Sequence, residues 1–205
     1  MNLAFGDQTR IFDDKKEKIR REFIDMGPGC NISIDIPAEL KTSIGNGGDP
    51  EYHVGGIIVS PLPRKWNSLL GQLSFNLTCE EKNHPLNPMP SGVYDEKFEK
   101  WREDKAGLRK YLAQSQDYSD PSFLEEKLAT IHVHDVKTRN AHGWADTSDD
   151  LTGDDDSRKR YMSFCIYHGS KALCGLGKSA YLSDGSKGDL TPHILKILRT
   201  IEFLR

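Results

Sequence analysis

The most regular stretch of the chain is Asn31-Ile32-Ser33-Ile34-Asp35-Ile36-Pro37, whose strict alternation puts three isoleucines on one face of an extended segment. Val54 to Val59 is a second strand candidate, weakened by glycine. From Leu69 to Thr78, Leu69, Gly71, Leu73, Phe75 and Leu77 take one face, and Gln72, Ser74, Asn76 and Thr78 take the other. Ala129, Ile131 and Val133 alternate with Thr130, His132 and His134 in a further strand. Two stretches carry helical spacing instead. Phe12, Ile19, Phe23 and Met26 recur through a charged segment that Gly27-Pro28-Gly29 closes, which predicts a helix over 12–26. Tyr94, Phe98, Trp101, Leu108 and Leu112 form a stripe that predicts the longest helix, its apolar face read as core, with Glu96 and Lys100 as a favourable i,i+4 pair. Before it lies a proline-rich loop, Asn83 to Pro90. Thr191-Pro192 opens a last helix with Ile194, Leu195, Leu198 and Ile201 on its apolar face. Strands in runs with a few long helices between them predict an α+β fold, an antiparallel sheet flanked by helices, over a doubly wound parallel one.

The segment from Tyr161 to Gly175 carries the sharpest local expectation. Two β-prone runs flank Gly169-Ser170, and glycine at the first central position favours a two-residue hairpin turn. Pairing His168 with Lys171 fixes the register outward: 167 with 172, 166 with 173, and Cys165 directly opposite Cys174. Because ladder pairs alternate, the cysteines fall in a close, non-hydrogen-bonded pair suited to a disulfide. A disulfide implies an oxidising compartment; two free cysteines packed as small hydrophobes are the alternative. Cys30 and Cys79 are far apart in sequence, and nothing local says whether they meet.

Composition narrows the classes. Hydrophobic residues at 36% and charged residues at 29% of the 205 describe a soluble globular chain, and no apolar run is long enough to cross a bilayer. A net charge of −3 and a pI of about 6.2 argue against nucleic acid as the main partner. Met1 to Gly6 leads straight into polar sequence with no signal-peptide pattern, so an exported origin implies a leader absent from this sequence.

Several stretches invite chemistry. Gly177-Lys178-Ser179 suggests a phosphate loop, but the required earlier glycine is Ala172, and the continuation reads as strand end and turn where a helix is needed. His132 and His134 share a strand face, with Asp135 and His142 nearby, so a metal-dependent hydrolase is imaginable; a solvated strand surface is the plainer reading. No Cys-x-x-Cys, His-Glu-x-x-His or Gly-x-Ser-x-Gly occurs. No catalytic residue, metal site or cofactor is therefore assigned. Ala145 to Asp156 concentrates carboxylates between two strands. Calcium is one reading, though the spacing fails the EF-hand pattern. The others are a self-repelling surface loop and an acidic finger that engages a basic cleft on a partner. The partner-binding candidates are Asp146, Asp149, Asp150, Asp154, Asp155 and Asp156, with Trp144 read as exposed beside them.

The order of these features resembles a known group. Ile32 to Glu39, a strand running into proline, and Leu190 to Phe203, a closing helix and apolar strand, look like small α+β domains of the PsbP-like kind. The hairpin built from Ser163 to Tyr167 and Leu173 to Gly177 is similar to that of immunity proteins against type VI secretion system antibacterial effectors. Among these, the C-terminal domain of immunity proteins against phospholipase effectors is nearest. The resemblance covers roughly residues 30–205, leaving 1–29 as a helical leader or the end of a preceding domain. It implies a periplasmic protein that blocks its cognate toxin by binding and has no catalytic residues. The alternatives are the hydrolase using His132 and His134, and a structural accessory protein of the cell envelope.

Overall fold

The computed structural model describes residues 18–46, 53–82 and 91–204. Along the chain run β1 (Ile19–Ile24), β2 (Ile32–Pro37), β3 (Thr42–Asn46), β4 (Val54–Val59), β5 (Leu73–Glu81), β6 (Gly92–Asp95) and β7 (Lys100–Glu103). There follow α1 (Lys105–Leu112), α2 (Pro121–Thr130), β8 (His132–Lys137), β9 (His142–Asp149), β10 (Lys159–His168), β11 (Lys171–Tyr181), α3 (Thr191–Leu198) and β12 (Glu202–Phe203). The main sheet has seven strands in the order β3-β4-β5-β11-β10-β9-β8, and every pairing is antiparallel. A second sheet, β1-β2-β12, and the β6-β7 hairpin account for the other strands among the described residues.

The isoleucine strand explains the main core. Ile32, Ile34 and Ile36 of β2 are buried with Ile194, Leu195 and Leu198 of α3 against Leu73, Phe75 and Leu77 of β5 and Phe164 and Ile166 of β10. Each such side chain contributes about 1.5–3 kcal/mol by leaving water. Gly175 lies directly across from Phe164, and a side chain there would run into the Phe164 ring. The disulfide Cys30–Cys79 fastens the start of β2 to β5 across this core.

The α+β expectation holds in coarse form: antiparallel sheets dominate and helices are few. Much of the covering layer is a second sheet, and three local expectations are corrected. Residues 19–24 form a strand where the periodicity predicts a helix: Arg20, Glu22 and Ile24 stand opposite Ile36, Ile34 and Ile32 of β2, and Ile19 and Phe23 are left exposed on the outer face. Arg21 pairs with Asp35 on the outer face, while Arg20 reaches the Leu40 carbonyl and Thr42 on the inner one. The described residues before position 30 thus belong to the β1-β2-β12 sheet, and a boundary at 30 falls inside it. Residues 12–17 and the proline-rich loop at 83–90, with His84, lie outside the described residues.

The Tyr94-to-Leu112 stripe is divided between a hairpin and a helix. Tyr94 faces Trp101 across β6 and β7, with a tight turn in which Asp95 accepts the Lys97 N–H. Lys100 therefore lies opposite Asp95 and does not stack on Glu96. The helix starts only at Lys105, where Asp104 caps it by accepting the Gly107 N–H. Ala129 and Thr130, expected in a strand, close α2. Asp120 caps that helix and Pro121 takes its first turn. Its Leu124 and Leu128 form a small separate core with Leu108, Leu112 and Ile131.

Candidate functional site

Cys165 and Cys174 are direct cross-strand partners, joined by a disulfide with Cα atoms 4.1 Å apart. The turn is Gly169-Ser170, with Gly169 at φ +58°. The face carrying this disulfide is roofed by the β6-β7 hairpin. Trp101 stacks on Tyr167 with centroids 5.3 Å apart, and Trp144, directly opposite Cys165, donates its indole N–H to the Tyr167 hydroxyl at 3.3 Å. Trp144 is only 2% exposed, so the expectation of an exposed contact residue is corrected. An indole beside a cysteine on a central strand is covered by whatever crosses that face, here the β6-β7 hairpin, for which the residue spacing predicts a helix.

The carboxylate stretch divides into structural and exposed parts. Asp146 is buried on β9, accepting hydrogen bonds from Ser91 Oγ at 2.6 Å and from Ser163 Oγ. Burial pushes its carboxyl above the usual range, against the pull of these two donors. Asp149 accepts from Arg160 Nε and Nη2 at 2.6 and 2.8 Å, while Arg160 Nη1 reaches Asp189 at 2.7 Å. Those two carboxylates hold the guanidinium firmly protonated. Asp146 and Asp149 therefore serve the fold. Asp150 accepts from the Thr152 N–H and hydroxyl. Asp154, Asp155 and Asp156 are exposed on a turn closed by the Asp150 N–H to the Lys159 carbonyl, with Arg158 bonded to the Gly153 carbonyl and paired with Asp155.

The histidine set does not assemble. His132 and His134 alternate with Asp135 on β8, and Asp135 turns to the opposite face, where it meets His142 at 2.6 Å and accepts the Trp101 N–H. His132 is exposed; His134 is half-buried, its Nε2 has no hydrogen-bond partner among the described residues, and burial pushes the imidazole below its usual value. Among the described residues no three His, Cys, Asp or Glu side chains converge on a point that could hold a metal ion. Cys174 to Ser179 runs as continuous strand inside β11, so it presents no phosphate-binding turn.

One surface has no signature in the sequence. An open groove of about 810 Å³ runs along the outer side of β8. Lys100, Arg102 and Lys105 line it from β7 and the start of α1, and Lys137 and Arg199 from β8 and the end of α3. These cations come from β7, the start of α1, β8 and the end of α3, so no local run of basic residues announces the patch.

No family model matches the chain, and no curated protein matches it. Among solved structures it is similar to cyanobacterial PsbP (CyanoP) from Synechocystis sp. PCC 6803. That solution structure shares 8% identity and a TM-score of 0.44, over 97% of this chain and 100% of the other. A likeness this distant assigns no activity to the chain.

Proposed function

We propose that the chain is an immunity protein that works in the periplasm and neutralises a secreted antibacterial toxin by binding it. A phospholipase effector is the toxin class that the sequence resemblance implies. The observation that carries the reading is the tethered turn presenting Asp154, Asp155 and Asp156 on a scaffold with two disulfides. Disulfides persist in oxidising compartments, where such a toxin would be met. Clustered carboxylates on a held turn steer a basic partner surface into contact. Trp144, Asp146 and Asp149 are needed by the fold, so the contact set narrows to Asp150 and Asp154 to Asp156.

The test is co-expression with the product of the adjacent gene, directed to the periplasm. Cells should survive when this chain is exported with that product, and the two should co-purify in a stoichiometric complex. Death despite export of folded, disulfide-bonded chain, with no complex recovered, would overturn the proposal.

A further inference from the structure

The groove beside β8 has properties that the acidic turn does not share. β8 is the last strand of the seven-stranded sheet, so among the described residues one of its edges pairs with no strand, while β7 packs beside it and donates the Trp101 N–H to the Asp135 carboxylate. The orientation of that edge follows from the ladder. Thr138 N–H bonds to the Ala141 carbonyl at the end of the β8-β9 hairpin, which makes Lys137 and His142 a non-hydrogen-bonded pair, and by alternation Asp135 and Val133 are the same. The N–H and C=O groups of Val133, Asp135 and Lys137 therefore point outward, into the groove. The Asp135 carbonyl fits this, since Arg199 Nη2 reaches it from outside at 3.4 Å.

The charges along the edge have one sign to spare. Arg102 is paired with Asp95, and Lys105 lies 3.6 Å from Glu103. Asp135 is held by His142 and the Trp101 N–H. Lys100, Lys137 and Arg199 enter no ion pair among the described residues; Lys100 has only the Phe98 ring, 5.7 Å away. Open strand edges recruit other strands, and lysines on an edge discourage copies of the same chain from pairing there. Two β8 edges brought together would set Lys137 and Arg199 of one copy near those of the other. An incoming strand with carboxylates meets the opposite situation.

We propose that the free edge of β8 receives an extended, carboxylate-rich segment of a partner protein as an added strand, with Lys100, Lys137 and Arg199 engaging its acidic side chains. Main-chain bonds to Val133, Asp135 and Lys137 would hold the segment, and the cations would select its composition. The proposal rests on the binding reading above only for the partner's identity.

The test uses the whole protein with two blocked synthetic peptides of about seven residues, long enough to run beside the strand. One alternates Glu with Val and the other alternates Lys with Val. The Glu-Val peptide should bind saturably, more weakly as salt is raised, and should slow amide hydrogen exchange at Val133, Asp135 and Lys137. The Lys-Val peptide should not bind. Combining Lys100→Gln, Lys137→Gln and Arg199→Gln removes three exposed charge pairs, each worth roughly two- to threefold, so affinity should fall about tenfold. Lys137→Pro removes an outward N–H as well as a charge and should weaken binding beyond Lys137→Gln. No binding of the Glu-Val peptide, equal binding of both peptides, or binding with edge-amide exchange unchanged would each overturn the proposal. The assay contains no toxin and leaves the acidic turn intact, so its failure leaves the toxin-binding proposal standing, and a failure of toxin capture leaves the groove proposal standing.

Discussion

Arg160 grips Asp149 with two parallel hydrogen bonds of 2.6 and 2.8 Å, and the same guanidinium reaches Asp189 at the entry to α3. One cation thus ties the β9-β10 pair to the helix that covers the main core. Its side chain and both carboxylates are more than two-thirds covered, so the pairs are stronger than surface ones. Arg160→Leu would leave two carboxylates close together without their cation, at a cost of about 2–3 kcal/mol. Neutralising Asp154, Asp155 and Asp156 to Asn should change stability by less than about 0.5 kcal/mol. Urea denaturation of both variants separates the structural half of the acidic stretch from the exposed half; equal losses would contradict the division.

A second expectation concerns pH. The Asp146 carboxyl is raised in the folded protein by burial, so stability associated with it is fully present below its unfolded value and is lost as pH rises through the folded one. Asp146→Asn cannot ionise. The variant's stability relative to the parent should therefore increase from about pH 4 towards neutrality. Chemical denaturation across that range reads the difference directly, and a gap independent of pH would show that Asp146 is not raised.

The disulfides should differ in weight. In the chain-entropy picture, closing the short Cys165–Cys174 loop is worth about 2.7 kcal/mol and closing the longer Cys30–Cys79 loop about 4 kcal/mol. Their sequence separations are 9 and 49. Paired Cys→Ser variants measured by urea denaturation should keep that order. Non-reducing mass analysis of protein made in an oxidising compartment should show four fewer thiol protons than the reduced form; free thiols at 165 and 174 would remove the compartment argument.

The hairpin around Gly169-Ser170 was legible because its register depends on two turn residues and on counting. The β2 strand was legible because Ile32, Ile34 and Ile36 have no other regular use. Residues 19–26 and 94–103 mislead because so few apolar positions carry the pattern: Ile19 and Phe23, four apart, share the exposed face of a strand, and Tyr94 and Trp101, seven apart, face each other across a hairpin. What decided them was tertiary: β1 found an isoleucine strand to pair with, and Trp101 found Tyr167 to stack on. α2 has a readable start in Asp120-Pro121, the same type of signal that Thr191-Pro192 carries for α3. For the acidic stretch, composition could not say that Arg160 and two serines would claim Asp149 and Asp146. The groove is invisible in the sequence because its cations converge only after β7, the start of α1, β8 and the end of α3 meet.

The last expectation addresses binding itself. Charges on an exposed turn act at long range during encounter and are screened once the Debye length falls to about 10 Å near 0.1 M salt. Replacing Asp150, Asp154, Asp155 and Asp156 by Asn removes four charges with little change in size, and none of these residues belongs to the buried pairs. Association with the toxin should slow and its salt dependence should flatten, while dissociation changes less. Stopped-flow or surface-based kinetics over a salt series would measure both. Unchanged association in a folded variant would make the turn a bystander and leave the contact to be sought elsewhere, beginning with the half-exposed Tyr94 on the β6-β7 hairpin.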